Sequence, residues 1–586
     1  MKKGFTLAEL IGVVVIVSLI VLLVAPAMIN FASKSKTKLS ESTIKLINTA
    51  TEQYHLDRSV QYVKSQNATY CVTLQTLVDA GYLVSPLFDP KTNANVPLTK
   101  YVEFAYRDEW SYEVVDECVE VIDDGATPAT YFTWTVSNNE ATLTGFSTSK
   151  PDDLTEIQIP TKYNGYNVTK IGSEAFKSAG LTKVIFPKTL KEIGANAFEG
   201  NLLTALDLPS EVTLIDAYAF ASNKLNTKIT FPKMLTTIGN YAFQGDSKGT
   251  TNVIPEVQLN SGLTSIGQYA FRYNKIRTLV IPNSVTTIGK YGFSDNIISS
   301  LVLGTGLTNI RDGNFARNKL TYVNIPQGVT KISVNAFLSN SLTSVDFPST
   351  LVTIDTTSFA TNNLSSIVIP NSVTTINDKA FYGNKLISVK IGTGLTTMGG
   401  GVFAGNYMNS QNHNNIVSYV DNSGRFPLKN GVIYNSGYTT VHTSITKLDE
   451  VRLPDTVTTI KNSAFEYSDV DYVVFNSGLT TIGNTAFAYT NLIDIDLPNS
   501  VTTLGTSCFL DAYSTTTNVT VKIGTGMTTI GKTAFKRSKN TEKLVGIINK
   551  SGKTFDWSYA LIGTASTAFE TGTINDGKGD IPVTAS

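Results

Sequence analysis

Histidine and cysteine are both scarce, with three of each in 586 residues. They fall at His55, His413 and His442 and at Cys71, Cys118 and Cys508. No two sit at metal-ligand spacing, which argues against a zinc site. A chain this poor in histidine also has few bases to activate a nucleophile, so no enzyme activity and no cofactor are expected. Surplus charge of one sign is missing as well: 47 Lys and Arg balance 47 Asp and Glu. Binding nucleic acid needs a cationic surplus, so no nucleic-acid partner is expected. Charged residues make up only 16% of the chain. Thr, Ser, Asn and Gly are abundant instead, a balance suited to a β-rich protein placed outside the cytosol. The length excludes a single core, since domains cluster near roughly 100–150 residues.

What is present begins with "KKGFTLAELIGVVVIVSLIVLLVAP". From Leu10 to Phe31 only Ser18, Pro26 and Asn30 interrupt an apolar run of 22 residues, enough for a helix to cross a hydrocarbon core of about 30 Å. Lys2 and Lys3 would hold the N-terminus in the cytoplasm. The residues leave a plain membrane anchor open, and also a secretory signal cut at Ala25-Pro26-Ala27. Neither gives Glu9 a use, although a helix-centre carboxylate costs roughly 2.5–3.5 kcal/mol in lipid and is retained where it has a partner. Gly4, Phe5, Thr6, Leu7 and Glu9 resemble, residue by residue, the type IV prepilin signal. The resemblance implies that a prepilin peptidase cuts after Gly4 and methylates the new amine of Phe5. It further implies that Glu9 pairs with the Phe5 ammonium of a neighbouring subunit in a filament, fixing register. Pro26, which lacks an amide hydrogen, sits where pilins bend this helix.

Beyond the leader (1–4), the helix is expected over 5–56, apolar over 5–31 and amphipathic afterwards. Leu39, Ile44, Ile47, Ala50 and Tyr54 fall about one turn apart. Residues 57–122 hold a short helical pattern ending at Gly81, a turn at Asp89-Pro90, and two alternating strand patterns, "YVEFAYR" and "SYEVVDECVEVI". This α+β arrangement of a long N-terminal helix and a small antiparallel sheet resembles the pilin layout, and "LVDAGYL" resembles pilins and pseudopilins. Cys71 and Cys118 bracket the region and can pair outside the cytoplasm; two buried, unpaired thiols are the alternative. "DDGATPAT" (123–130) reads as a linker.

A repeat takes over past the linker. Phenylalanine recurs at 176, 198, 220, 243, 271, 293, 315, 337, 359, 381, 403, 465, 487, 509 and 535, mostly in steps of 22. Each unit is one coil that cannot bury its own apolar side, so coils must stack. In the first, Leu181, Val184, Phe186, Leu190, Ile193, Ala197 and Phe198 should point inward. Proline after the strand (Pro187, Pro209, Pro282) ends pairing, and Gly194, Gly239, Gly267 and Gly289 are read as left-handed turn positions. Asn follows Phe by three residues at 201, 223, 274, 296, 318, 340, 362, 384 and 406, a ladder able to satisfy backbone groups in successive coils. The array resembles the BspA-like leucine-rich repeats over roughly 130–540. The resemblance implies a solenoid of about fifteen coils: an opening cap at 131–170, repeats at 171–403 and 447–537, an irregular hairpin insertion at 404–446, and a closing cap with a frayed polar tail at 538–586. Caps hide strand edges that would otherwise be unpaired.

Chemistry is poorly served here. His413 and His442 both fall in the insertion, Asp207 and Asp216 are the nearest approach to a carboxylate pair, and Cys508 replaces a small core residue. Binding is better served. The strand residues between inward positions should face solvent, and Val280, Val302, Asn324, Asp346 and Val368 form a mixed surface suited to a host or surface protein or a glycan. The joint expectation is a minor or tip type IV pilin-like subunit, inserted in the inner or plasma membrane as a precursor and then displayed at the cell surface. Prepilin peptidase and other pilin subunits would be its partners. The alternatives are a pseudopilin of a type II secretion or DNA-uptake machine that grips cargo with its repeats, and a statically anchored surface protein.

Overall fold

A computed structural model describes residues 39–57, 69–107, 109–116, 118, 126–406, 416–539, 541–563, 571–576 and 579–585. Gly4, Phe5, Glu9, Pro26, the apolar run 10–31 and His413 lie outside these residues. Among the described residues no helix is long and apolar enough to cross a membrane. The chain divides into two compact units, Met1–Gly125 and Ala126–Ser586.

In the first unit the helix Glu41–Asp57 buries Ile47, Ala50 and Tyr54. Its apolar positions recur at helical spacing, so one face packs and the other stays wet. Three antiparallel strands make the sheet: Thr69–Thr73, Tyr101–Arg107 and Glu109–Val115, with Tyr101–Arg107 central. The Thr73 hydroxyl accepts from the Thr76 amide and starts a short helix, Leu74–Asp79. Asp89 is buried and accepts from the Ser40 amide at 2.9 Å, the Thr43 hydroxyl at 2.7 Å and the Thr92 amide at 3.1 Å. Burial alone would raise its pKa, but these hydrogen bonds outweigh it and hold the carboxyl well below the usual range. A disulfide joins Cys71 to Cys118 across 47 positions.

The second unit is a β-solenoid of about seventeen turns. Each coil contributes one short strand to a row typified by Thr287–Ile288 and Asn309–Ile310, where Ile is buried and Thr or Asn points out. Neighbouring coils pair in parallel register, Ser265 with Thr287 and Ile266 with Ile288. Threonine hydroxyls on this side bond to the carbonyl one coil back, Thr264 to Thr236 and Thr286 to Thr264. A second row, including Thr278–Val280, Ser300–Val302 and Tyr322–Asn324, forms another side. The Phe turn closes the coil. Rings from Phe198 to Phe403 stack at 5.2–6.2 Å between centroids, and every one of them is buried.

The nine Asn side chains form the expected ladder. Asn296 shows the pattern: its Oδ1 accepts from the Ile276 amide in the preceding coil, and its Nδ2 donates to the carbonyls of Phe271 and Phe293. Three expectations are corrected. Gly194, Gly239, Gly267 and Gly289 are not left-handed; the left-handed residues stand two before and two after Phe, as at Tyr269 and Tyr273. Glycine is needed instead for close approach, because a β-carbon at Gly289 would lie 2.2 Å from the Gln268 amide nitrogen in the preceding coil. The tail is not frayed: Gly572–Asn575 and Asp580–Ala585 form a hairpin, and the latter strand pairs in parallel with Leu544–Asn549. Ile581 and Val583 alternate with exposed residues and are buried, which anchors it. The turn count exceeds fifteen because the end coils have no Phe in register; Glu140–Phe146 already continues the parallel row one coil before that of Phe176.

Candidate functional site

The five residues expected to face a ligand occupy one column of the second strand row in five successive coils. Val280 pairs with Val302 and Asn324 with Asp346. Val280, Val302 and Val368 are 60%, 55% and 63% exposed. Asp346 accepts from the Tyr322 hydroxyl, so the column is two apolar stretches separated by a polar pair. This is a surface, not a cleft.

The candidate reactive groups are dispersed. His442 is buried, its Nδ1 3.1 Å from the Gly399 carbonyl. Burial, and then the nearby Lys461 ammonium, push its pKa down to about 4. It is therefore neutral and shut away from any substrate. Asp216 accepts from the Ala217 amide at 2.7 Å beside the Leu214–Ile215 strand, whereas Asp207 lies in the 201–209 stretch, which has no strand. Cys508 is fully buried among the Phe turns, and burial pushes its thiol up. Among the described residues no group of three His, Cys, Asp or Glu could hold a metal ion. The Nδ2 groups of the ladder Asn residues are used up on backbone carbonyls.

Two features escaped the sequence reading. Tyr218, Tyr241, Tyr269 and Tyr291, each two residues before a Phe, stack at 4.5, 4.9 and 5.3 Å between centroids. The stack ends against Gly313, whose left-handed backbone and missing side chain leave room for the Tyr291 ring. Beside it lies a cleft of about 480 Å³, walled by the 246–249 segment and floored by residues of the next coils, among them Tyr273, Lys275, Arg317 and Lys319. The wall exists because the step from Phe243 to Phe271 is longer than the usual one. Asp246 ties this loop by accepting from the Thr250 amide and hydroxyl and the Thr251 amide. At the cleft edge Asp295 sits between Arg272 and Arg317. Burial opposes its ionisation, but the two guanidinium groups prevail and keep its pKa low. Arg272 in turn lies over the Tyr273 ring at 4.3 Å. The lengthened step was the visible signal for the cleft; the tyrosine stack shows only when residues are aligned by their distance from Phe.

Comparison with known proteins agrees with this geometry. A family model for the BspA-type leucine-rich repeat region matches residues 146–256, 250–362, 308–424 and 439–555. No curated protein matches the chain. Among solved structures, the chain is similar to a leucine-rich repeat protein from Bacteroides ovatus, with 21% identity over 76% of this chain and 98% of that one and a TM-score of 0.38. A leucine-rich cell surface protein from Faecalibacterium prausnitzii aligns over 75% of this chain and 98% of its own, at 18% identity and a TM-score of 0.29. The pneumococcal vaccine antigen PcpA aligns over 73% of this chain and 82% of its own, at 17% identity and a TM-score of 0.29.

Proposed function

The chain belongs to the BspA-type leucine-rich repeat family, and from that premise we propose that it is a surface-displayed binding protein whose repeats are carried by a type IV pilin-like stem. The observation that carries the stem is the run Gly4-Phe5-Thr6-Leu7-Ala8-Glu9 ahead of a 22-residue run that only Ser18, Pro26 and Asn30 interrupt. A helix over a three-stranded antiparallel sheet, closed by a disulfide, supports the same reading of the first unit. In this reading prepilin peptidase cuts after Gly4, Phe5 is methylated, and Glu9 pairs with the Phe5 ammonium of another subunit as the helix leaves the membrane. Pro26 bends that helix. A repeat unit spanning Ala126–Ser586 would crowd lateral packing in a filament, which makes this a minor or tip subunit. The repeats face outward and bind.

Mass spectrometry of the mature N-terminus tests the stem. A chain starting at methylated Phe5 is the expected result; one starting at Met28 or at Met1 overturns it. Glu9→Ala should leave the precursor in the membrane but keep it out of surface fibres.

A further inference from the structure

We propose that the cleft beside the 246–249 loop binds an acidic polysaccharide, one whose sugars carry carboxylate or sulfate groups. This rests on the surface-display reading, and it assigns the ligand to a different face from the Val280–Val368 column.

The geometry starts from the residue that follows each ladder Asn, with Asn252 filling the rung between Asn223 and Asn274. In successive coils that position is Lys224, Val253, Lys275, Ile297 and Lys319, so lysine stands on every second rung. Their amides are in register: Val253 donates to Leu225, Lys275 to Ile254, Ile297 to Ile276 and Lys319 to Ile298. Two rungs of hydrogen-bonded strand spacing put Lys275 and Lys319 about 10 Å apart. Both lie in the cleft, and Lys248 joins them from the loop wall. All three lysines are exposed, and among the described residues none of their ammonium groups has an ion-pair or hydrogen-bond partner. The carboxylates alongside are already engaged, Asp295 by two arginines and Asp246 by its own loop. What remains is a local surplus of cation on a chain whose total charge is zero.

The rest of the lining selects among anions. Ser247, Tyr273 and Ser339 give the cleft hydroxyl and phenol groups and little apolar surface. A protein partner would need an apolar pocket for an anchoring side chain, which this cleft does not offer. Nucleic acid would need a basic surface far wider than three lysines. A polyol chain with an anionic group on alternate sugars meets both the hydroxyl-rich floor and the two-rung spacing of the cations. Attraction between exposed charges is weak singly and screened by salt, so binding should depend on several sites at once.

The test uses the full chain in detergent and measures binding of polygalacturonate, dextran sulfate, neutral dextran and polyglutamate. Polygalacturonate or dextran sulfate should bind, neutral dextran should not, and raising salt should weaken the complex. Lys275→Glu combined with Lys319→Glu should weaken binding by about tenfold or more. Lys385→Glu, at the same place in a coil beyond the cleft, should change it little. The proposal is overturned if neither acidic polysaccharide binds, if the double variant binds like the parent, or if polyglutamate binds as tightly with the same sensitivity. Surface display of the double variant is scored separately. Intact display with unchanged glycan binding overturns this inference alone, whereas lost display of the unmodified chain overturns the surface reading and leaves the cleft measurement standing.

Discussion

Replacing Asn296 by Ala asks how much a single rung of the amide ladder contributes. The side chain is 5% exposed. Its Oδ1 accepts from the Ile276 amide at 3.1 Å, and its Nδ2 reaches the carbonyls of Phe271, Phe293 and Ser294 at 2.8, 3.2 and 3.2 Å. The Phe carbonyls survive its loss, because Asn274 also donates to Phe271 and Asn318 to Phe293. The Ile276 N–H does not, since Asn296 is its acceptor. An orphaned buried N–H costs about 1–3 kcal/mol, and the vacated amide volume adds about 1 kcal/mol. The expected loss is therefore about 2–4 kcal/mol, against under about 0.5 kcal/mol for Ala at the exposed Asn324.

Stacked repeats couple mainly to their neighbours, so the loss should be local. Hydrogen exchange read by mass spectrometry should speed up around residues 254–318 and stay unchanged beyond Phe465. Asn296→Asp sharpens the test. A carboxylate still accepts from Ile276 but has no donor for the carbonyls unless it is protonated, so its folded pKa is raised. That variant should match the parent most closely below about pH 4 and lose stability as pH rises through the raised value. If Asn296→Ala costs under about 0.5 kcal/mol, or if exchange changes evenly along the unit, the ladder is ornamental and the reasoning fails.

Gly289→Ala should destabilise by about 1–3 kcal/mol or more, because the added carbon meets the Gln268 backbone; a neutral or raised melting temperature would count against close approach. Reducing Cys71–Cys118, which closes a loop of 47 positions, should lower the stability of the first unit by about 4 kcal/mol, read as faster proteolysis within Met1–Gly125. Glu542 is buried beside Asp511, and burial raises its carboxyl to about 7, with Lys539 and Arg537 opposing. The closing cap should therefore be tightest below about pH 4.5 and loosen as pH rises through 7, and Glu542→Gln should remove that dependence. His442 has the opposite sign: its folded pKa of about 4 lies below the unfolded 6.5. Stability near Lys461 and Asp378 should fall as pH drops through that window, by up to about 3 kcal/mol, and His442→Leu should flatten the profile in denaturation titrations.

Most of what lies within one coil was legible in the sequence, and much of what lies between coils was not. The 22-residue recurrence of Phe located the buried ring stack, and the Asn three places on located the ladder, because both follow from the period alone. The hairpins at Phe132–Ser137 with Glu140–Phe146, and at Val432–Tyr434 with Thr440–Ser444, lie outside the period and were expected only from the family resemblance. The glycine reading failed because period assigns a position but not the distance to the next coil; only stacking shows that backbone, not φ, forbids a side chain at Gly289. The coil count fell short because it relied on Phe, and the end coils pair by backbone without one.

The same distinction explains why the cleft was missed. Lys275 and Lys319 are 44 residues apart in the chain and become near neighbours only when the coils stack, with one coil between them. Along the sequence each is an isolated surface lysine, and isolated surface charges carry little energy. In the solenoid they line one cleft with Lys248, brought there by a loop whose extra length looked like an irregularity in the repeat. A repeat that holds its period strictly offers the same face at every coil. Specific recognition requires a place where the faces differ, and the break in period between Phe243 and Phe271 is where this solenoid acquires one.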